Sequence, residues 1–157
     1  MKQSTHLVKD YILFLLTRKD YSTAELLEKS LKKNYDGIDI KQAISDLTQI
    51  GLINDVRMAE NIIANYSGYK GKTWIKQKLM IKKIPYTTIE ILLEETEDVN
   101  QANDTFKKKV MQKYSINNWY DLEIKTKQKI LHYIARQGFP NPFEVLGTWI
   151  KNDNIGR

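Results

Sequence analysis

Residues 51–85 read GLINDVRMAENIIANYSGYKGKTWIKQKLMIKKIP: a polar entry, a helix, a turn broken by Gly68 and Gly71, and a second helix studded with lysine. Met58, Ala59, Ile62, Ile63 and Tyr66 recur at helical spacing, and Asn54 or Asp55 can cap the first of these helices. In the second, Ile75 and Leu79 lie within about 40° of each other at roughly 100° per residue, while Trp74 and Ile81 form another apolar patch well over about 90° away. A helix apolar on two sides is expected to be sandwiched between neighbours. Lys72, Lys76 and Lys83 share one stripe within about 40° on the same projection. No carboxylate lies between Asn61 and Ile89, whereas Lys70, Lys72, Lys76, Lys78, Lys82 and Lys83 all do, with Tyr66, Tyr69 and Trp74 among them. Such a block is either a solvated helix face or a surface that meets something anionic.

Helical periodicity continues on both sides. Leu7, Tyr11, Phe14 and Leu15 mark a helix over about 5–18. Ser22 and Glu25 form a capping box, each side chain reaching the other's backbone N–H, ahead of Leu26, Leu27 and Leu31. A third helix spans about 39–50 with Ile40, Ala43, Ile44 and Leu47, and Gly51 supplies a left-handed stop. Downstream, Thr87 and Glu90 offer another capping box, and Asn100 opens a helix carrying Phe106, Val110 and Tyr114. Trp119 and Tyr120 precede a helix with Ile130, Leu131, Ile134 and Ala135 that closes at Gly138. Asn141-Pro142 reads as N-cap and first helical position, followed by Phe143, Leu146, Trp149 and Ile150 on an apolar face. No run alternates polar and apolar residues, so the expected fold is all-α, with nine helices.

Those helices sort into three threes, residues 1–53, 54–98 and 99–157, forming one continuous body. The register shows in WIKQKLMIKKIPYTTIEIL (74–92) and KILHYIARQGFPNPFEVL (129–146), and more loosely in LLEKSLKKN…GID (26–39). With one deletion, Ile75, Leu79, Ile84, Pro85, Ile89 and Leu92 align with Ile130, Ile134, Phe139, Pro140, Phe143 and Leu146. Stacked three-helix units predict an elongated, curved array with a long concave face.

The composition supports this reading. At 157 residues with 41% hydrophobic side chains, the chain is long enough for one real core. It has no cysteine, so disulfides and thiolate chemistry are excluded, which fits a cytoplasmic location. No apolar run approaches the roughly 20 residues that span a bilayer, and the opening stretch, interrupted by Lys9 and Asp10, reads as a first helix and not a signal peptide. The net charge of +6 divides as +1, 0 and +5 over the three segments, so the last third is the most basic. A basic third with acids gathered elsewhere points to nucleic acid or an acidic protein assembly.

Catalytic chemistry is missing from the sequence. His6 and His132 are isolated, and there is no HExxH, P-loop or GxGxxG motif. Glu94, Glu95, Glu97 and Asp98 read as a solvated helix end, not a metal site. The tryptophans read as inter-helix anchors, with Trp74 kept as a contact candidate because lysines surround it. No enzyme, cofactor, catalytic residue or metal ligand is expected.

With these motifs in hand, the chain resembles the RecX family of bacterial recombinase regulators. The likeness rests on G-L-I-N-D-x-x-M-A (51–59), then K-G-x-x-x-I-x-x-x-L-x-x-K-x-I (70–84), with Y-S-T-A-E-L (21–26) and R-Q-G-F (136–139) in support. It implies three tandem three-helix repeats that lie along the groove of the RecA–DNA filament. It also implies restraint of filament extension, ATP hydrolysis, strand exchange and coprotease activity, for a protein in DNA repair, recombination and the SOS response. Some members bind DNA, so single- or double-stranded DNA is a further expected partner, and the chain is expected to act as a monomer. The residues expected to meet RecA or DNA are Arg57, Tyr69, Lys70, Lys72, Trp74, Lys76 and Lys83 in the middle unit, and Lys107, Lys108, Lys113 and Arg136 in the last. The sequence departs from the family in carrying Lys83 where Gly is common, Lys78 where Glu is common before Leu79, and lysine for most of the family's arginines.

Two other readings compete. Residues 21–53 resemble a helix-turn-helix approaching a wing, which would make the protein a winged-helix DNA-binding regulator. That fold needs a β-hairpin next, where the sequence instead continues at helical spacing. A scaffold for some other acidic protein is the third.

Overall fold

A computed structural model describes residues 2–96 and 99–155. Nine α-helices occupy the described residues, with no strand among them: α1 Lys2–Leu16, α2 Thr23–Lys32, α3 Gly37–Gln49, α4 Asp55–Tyr66, α5 Lys72–Ile81, α6 Tyr86–Glu95, α7 Asp104–Lys113, α8 Ile124–Arg136 and α9 Pro142–Ile155. The all-α expectation holds. Helix α4 fills the place where a winged-helix fold would need its hairpin. No helix among the described residues is long and apolar enough to cross a membrane.

Local sequence explains where the helices start and stop. Ser22 and Glu25 make the reciprocal capping box at the head of α2. Asn54 caps α4 by accepting from the Arg57 N–H at 3.0 Å. That leaves Asp55 to accept from the backbone N–H of Thr23, 2.8 Å away, so one dipeptide satisfies the starts of two helices. At the head of α9, Asn141 accepts from the Glu144 N–H at 3.2 Å while its amide donates to the Glu144 carboxylate. Two expected starts move. Thr87 lies inside α6, which begins at Tyr86 after Pro85, and α7 begins at Asp104 behind the Asn103 cap, not at Asn100.

The second helix of each triplet ends in the same way. Asn34, Lys83 and Gly138 all have positive φ, at 65°, 59° and 93°. The next residue's N–H returns to the carbonyl five residues back: Tyr35 to Ser30, Ile84 to Leu79, and Phe139 to Ile134. Leu26, Ile75 and Ile130 are fully buried one turn earlier. The repeat aligned from sequence is thus visible in hydrogen bonds through the second helix. Beyond the shared proline it slips, because Ile89 is buried whereas Phe143 is 72% exposed and Val145, Leu146 and Trp149 face inward instead.

Contacts divide the chain into two compact units, Met1–Asn61 with Leu79–Leu92, and Ile62–Lys78 with Leu93–Arg157. The first is built on Val8, Ile12, Leu15, Tyr21, Leu26, Ile40, Ala43, Ile44, Leu47 and Ile53, with α1 lying against α3. Its inward face on α1 is rotated from the expected one. Val8 and Ile12 are fully buried, while Leu7 and Phe14 are exposed and the Arg18 guanidinium covers the Phe14 ring. The second unit is centred on Phe106, whose ring packs near Tyr133, Phe139 and Trp149. The rings of Trp119, on the connection between α7 and α8, and of Trp149, on α9, are both buried with centroids 5.1 Å apart. Ile81 is 74% exposed, so the expected second packing face of α5 does not extend to it.

One buried position breaks the pattern. Ser30 stands where Leu79 and Ile134 stand in the other second helices, and its hydroxyl has no hydrogen-bond partner among the described residues. An unpaired buried hydroxyl costs roughly 1–3 kcal/mol, and alanine is also the better helix former. Ser30→Ala is therefore expected to raise stability by about 1 kcal/mol, read as a higher urea midpoint at unchanged slope. A lower midpoint would show that the hydroxyl is satisfied.

Candidate partner-binding surface

The second unit is closed by two helix ends that meet backbone to backbone. Gly71 N–H donates to the Gln137 carbonyl at 2.8 Å, and Thr73 N–H donates to the Gly138 carbonyl at 3.1 Å. Unpaired donors at the start of α5 thus satisfy acceptors just past the end of α8, joining the positive end of one helix dipole to the negative end of another. A Cβ on Gly71 would lie 2.3 Å from the Gly138 backbone, and one on Gly138 would lie 2.4 Å from Trp74 Cβ. Only glycine allows that approach. The Asn103 N–H donates to the Gly68 carbonyl at 3.0 Å, which ties the same turn to the head of α7.

This junction positions a group of cations around two aromatic rings. The Tyr66 and Trp74 rings pack with centroids 4.7 Å apart. Lys70 Nζ lies 5.0 Å from the Trp74 ring and donates to Gln137 Oε1. Lys78 Nζ lies 5.9 Å from the Tyr66 ring and 6.0 Å from Trp74. Each cation sits over a ring face, where the quadrupole attracts it. Burial lowers the pKa of Lys70 from the usual lysine value, and repulsion from Lys109 lowers it further. Trp74 is half-buried and its indole is occupied by Tyr66 and the lysines, so it acts here as a support for cations.

The other expected residues are placed as follows. Tyr69 is exposed in the turn; Lys72 and Lys76 are half-buried on α5. On α7, Lys107 is half-buried, Lys108 is exposed, and Lys113 lies over the Tyr114 and Tyr133 rings. Arg136 is exposed near the end of α8. In the first unit, Arg57 donates to the Gly51 carbonyl at 3.0 Å. It completes the stop of α3. Lys83 lies beyond the end of α5 with left-handed backbone, so the helical projection does not carry the stripe of Lys72 and Lys76 to it. Its ammonium pairs with Glu28, and Lys82 pairs with Glu25 at 3.5 Å. Left-handed backbone at a residue with a Cβ explains why glycine suits this position.

Lys78 and Lys109 were absent from the sequence-derived set, yet they complete the cluster around Trp74 and Lys70. For Lys78 the signal was available, since Lys70, Trp74 and Lys78 are spaced by four. Lys109 is brought near by the tertiary fold. Both histidines are exposed. No group of three or more acidic or histidine side chains able to hold a metal occurs among the described residues, and Glu97 and Asp98 lie outside them.

Glu28 sits between Lys83 and Lys32, whose hydrogen bonds and charges pull its pKa from 4.5 to about 2. The folded value is the lower one. The pairing therefore stabilises the fold above pH ~4.5 and is lost as the pH falls through about 2. In Lys83→Gly the Glu28 carboxyl is expected to titrate closer to 4.5, followed by carboxyl-carbon NMR. An unchanged titration would mean that the pair does not form in solution.

No family model matches the chain. A regulatory protein RecX from Legionella pneumophila (strain Corby) is 33% identical over 128 residues, covering 79% of this chain and 83% of that one. A regulatory protein RecX from Haemophilus ducreyi is 31% identical over 135 residues, covering 84% of both. The crystal structure of RecX from Lactobacillus salivarius covers 99% of each chain at a TM-score of 0.76 and 20% identity, which speaks to the fold. With identity above 30% extending over most of both chains, the protein belongs to the RecX family of regulatory proteins.

Proposed function

We propose that this protein is a non-enzymatic, cytoplasmic regulator that binds the RecA recombinase filament and restrains its extension, ATP turnover, strand exchange and coprotease activity. The observation that carries this reading is family membership over most of the chain. The physical support is the lysine–aromatic cluster of the second unit. Lys70 and Lys109 repel each other, so an anion placed between them would relieve that repulsion as well as gain two attractions.

Lys70, Lys78 and Lys109 form the centre of the proposed surface, with Lys72, Lys76, Lys107, Lys108, Lys113, Arg136 and Tyr69 around it. The anion is an acidic patch of RecA or a phosphate of the bound DNA. Lysine offers a point charge in place of a bidentate fork, so the gain is attraction and steering without fixed geometry. Several such contacts, each weak, would add through avidity along a polymer. Arg57 and Lys83 belong to the first unit and have structural duties there, Arg57 on the Gly51 carbonyl and Lys83 on Glu28. In this reading the three helix triplets, 1–53, 54–98 and 99–157, act as one body on the filament.

The test is RecA ATPase on single-stranded DNA. The wild-type chain is expected to slow turnover, and a Lys78→Glu, Lys109→Glu double variant to need at least about tenfold more protein for the same slowing, since each buried or clustered charge contact is worth about 1 kcal/mol or more. Far-UV circular dichroism should not change. Wild-type potency in the double variant would remove this cluster from the interface, and failure of the unmodified chain to slow turnover would overturn the functional reading itself.

A further inference from the structure

Apart from the lysine cluster, the second unit holds a cavity of about 650 Å³. That is within the range of roughly 300–1,000 Å³ typical of ligand sites. Val99, Val145 and Trp149, all buried, give it an apolar lining. Glu94, Glu144 and Lys72 give it charge, two carboxylates against one ammonium. In a chain of net charge +6 this is a local inversion of sign.

The two carboxylates stand at opposite kinds of helix end. Glu144 is in the first turn of α9, where the dipole favours its negative charge and the Asn141 amide holds it at 3.1 Å. Glu94 is in the last turn of α6, where the dipole opposes a negative charge and that turn carries no basic residue. A cation arriving in the cavity would offset that unfavourable placement. The walls beside it suit the methylene stem of a long basic side chain, which buries its carbons and keeps its charge at the polar edge.

We infer that this cavity is a docking site for a basic side chain, arginine or lysine, flanked by apolar residues on a segment of a partner protein. The site adjoins the proposed anion-binding surface at Lys72, which lines the cavity, and has the opposite charge preference. It gives the protein a second means of holding a partner, with Lys72 as an internal competitor for the same two carboxylates.

The probes are three capped tripeptides, acetyl-Leu-Arg-Leu-amide and its Gln and Glu counterparts, titrated into the full chain and followed by amide NMR shifts. The arginine peptide is expected to shift Val99, Val145, Thr148 and Trp149 saturably, at least tenfold more tightly than the Gln or Glu peptide. Glu94→Gln should weaken it severalfold and Glu94→Gln with Glu144→Gln by tenfold or more, while Lys72→Gln should tighten it. Glu94 is exposed at a helix end, so its variant keeps the fold and the test stands even if the double variant does not fold. Equal binding of the three peptides, or shifts outside the cavity, would overturn the inference. So would indifference of the arginine peptide to Glu94→Gln.

Discussion

The junction of Gly71 with Gly138 is the constraint on which the second unit depends. Two helix ends are each left with unsatisfied backbone groups, and burying such a group unpaired costs roughly 1–3 kcal/mol. Here donors at the start of α5 meet acceptors past the end of α8, at 2.8 and 3.1 Å, and both debts are cancelled at once. The approach is so close that a single Cβ on either glycine would collide with backbone or with Trp74. Because Lys70 precedes this contact and Trp74 follows it, their spacing is fixed by backbone geometry and not by flexible side chains.

This explains a feature of the sequence that periodicity alone leaves unexplained. Two of the short motifs on which the resemblance to the RecX family rests, K-G at 70–71 and R-Q-G-F at 136–139, are far apart in the chain and meet in the structure. Each glycine is where the other motif's backbone passes. The left-handed residue ending each second helix is a separate requirement, met by Asn34, Lys83 and Gly138. At Gly138 the two requirements coincide, with positive φ and a close neighbour together.

The helices were legible because their caps are local: Ser22 with Glu25, Asn141 with Pro142, and Gly51 each act within a few residues. The buried face of α1 was not, because Leu7 and Phe14 fit a helical period as well as Val8, Ile12 and Leu15 do. Which apolar stripe turns inward is decided by α3, and that is tertiary information. The same limit applied to the basic residues. Counting lysines found the charged block, but pairing depends on carboxylates distant in sequence, so Lys83 with Glu28 and Lys82 with Glu25 could not be foreseen. Lys109 was missed because only the fold brings α7 near Lys70.

Native-state hydrogen exchange at the Gly71 and Thr73 amides tests the central claim most directly. If the helix-end junction closes the second unit, both amides should exchange as slowly as Ile130 and Ile134 in α8, opening only with the unit as a whole. Exchange of Gly71 and Thr73 at the rate of an open loop, while α8 stays protected, would mean that the junction is incidental and that something else sets the lysine cluster in place.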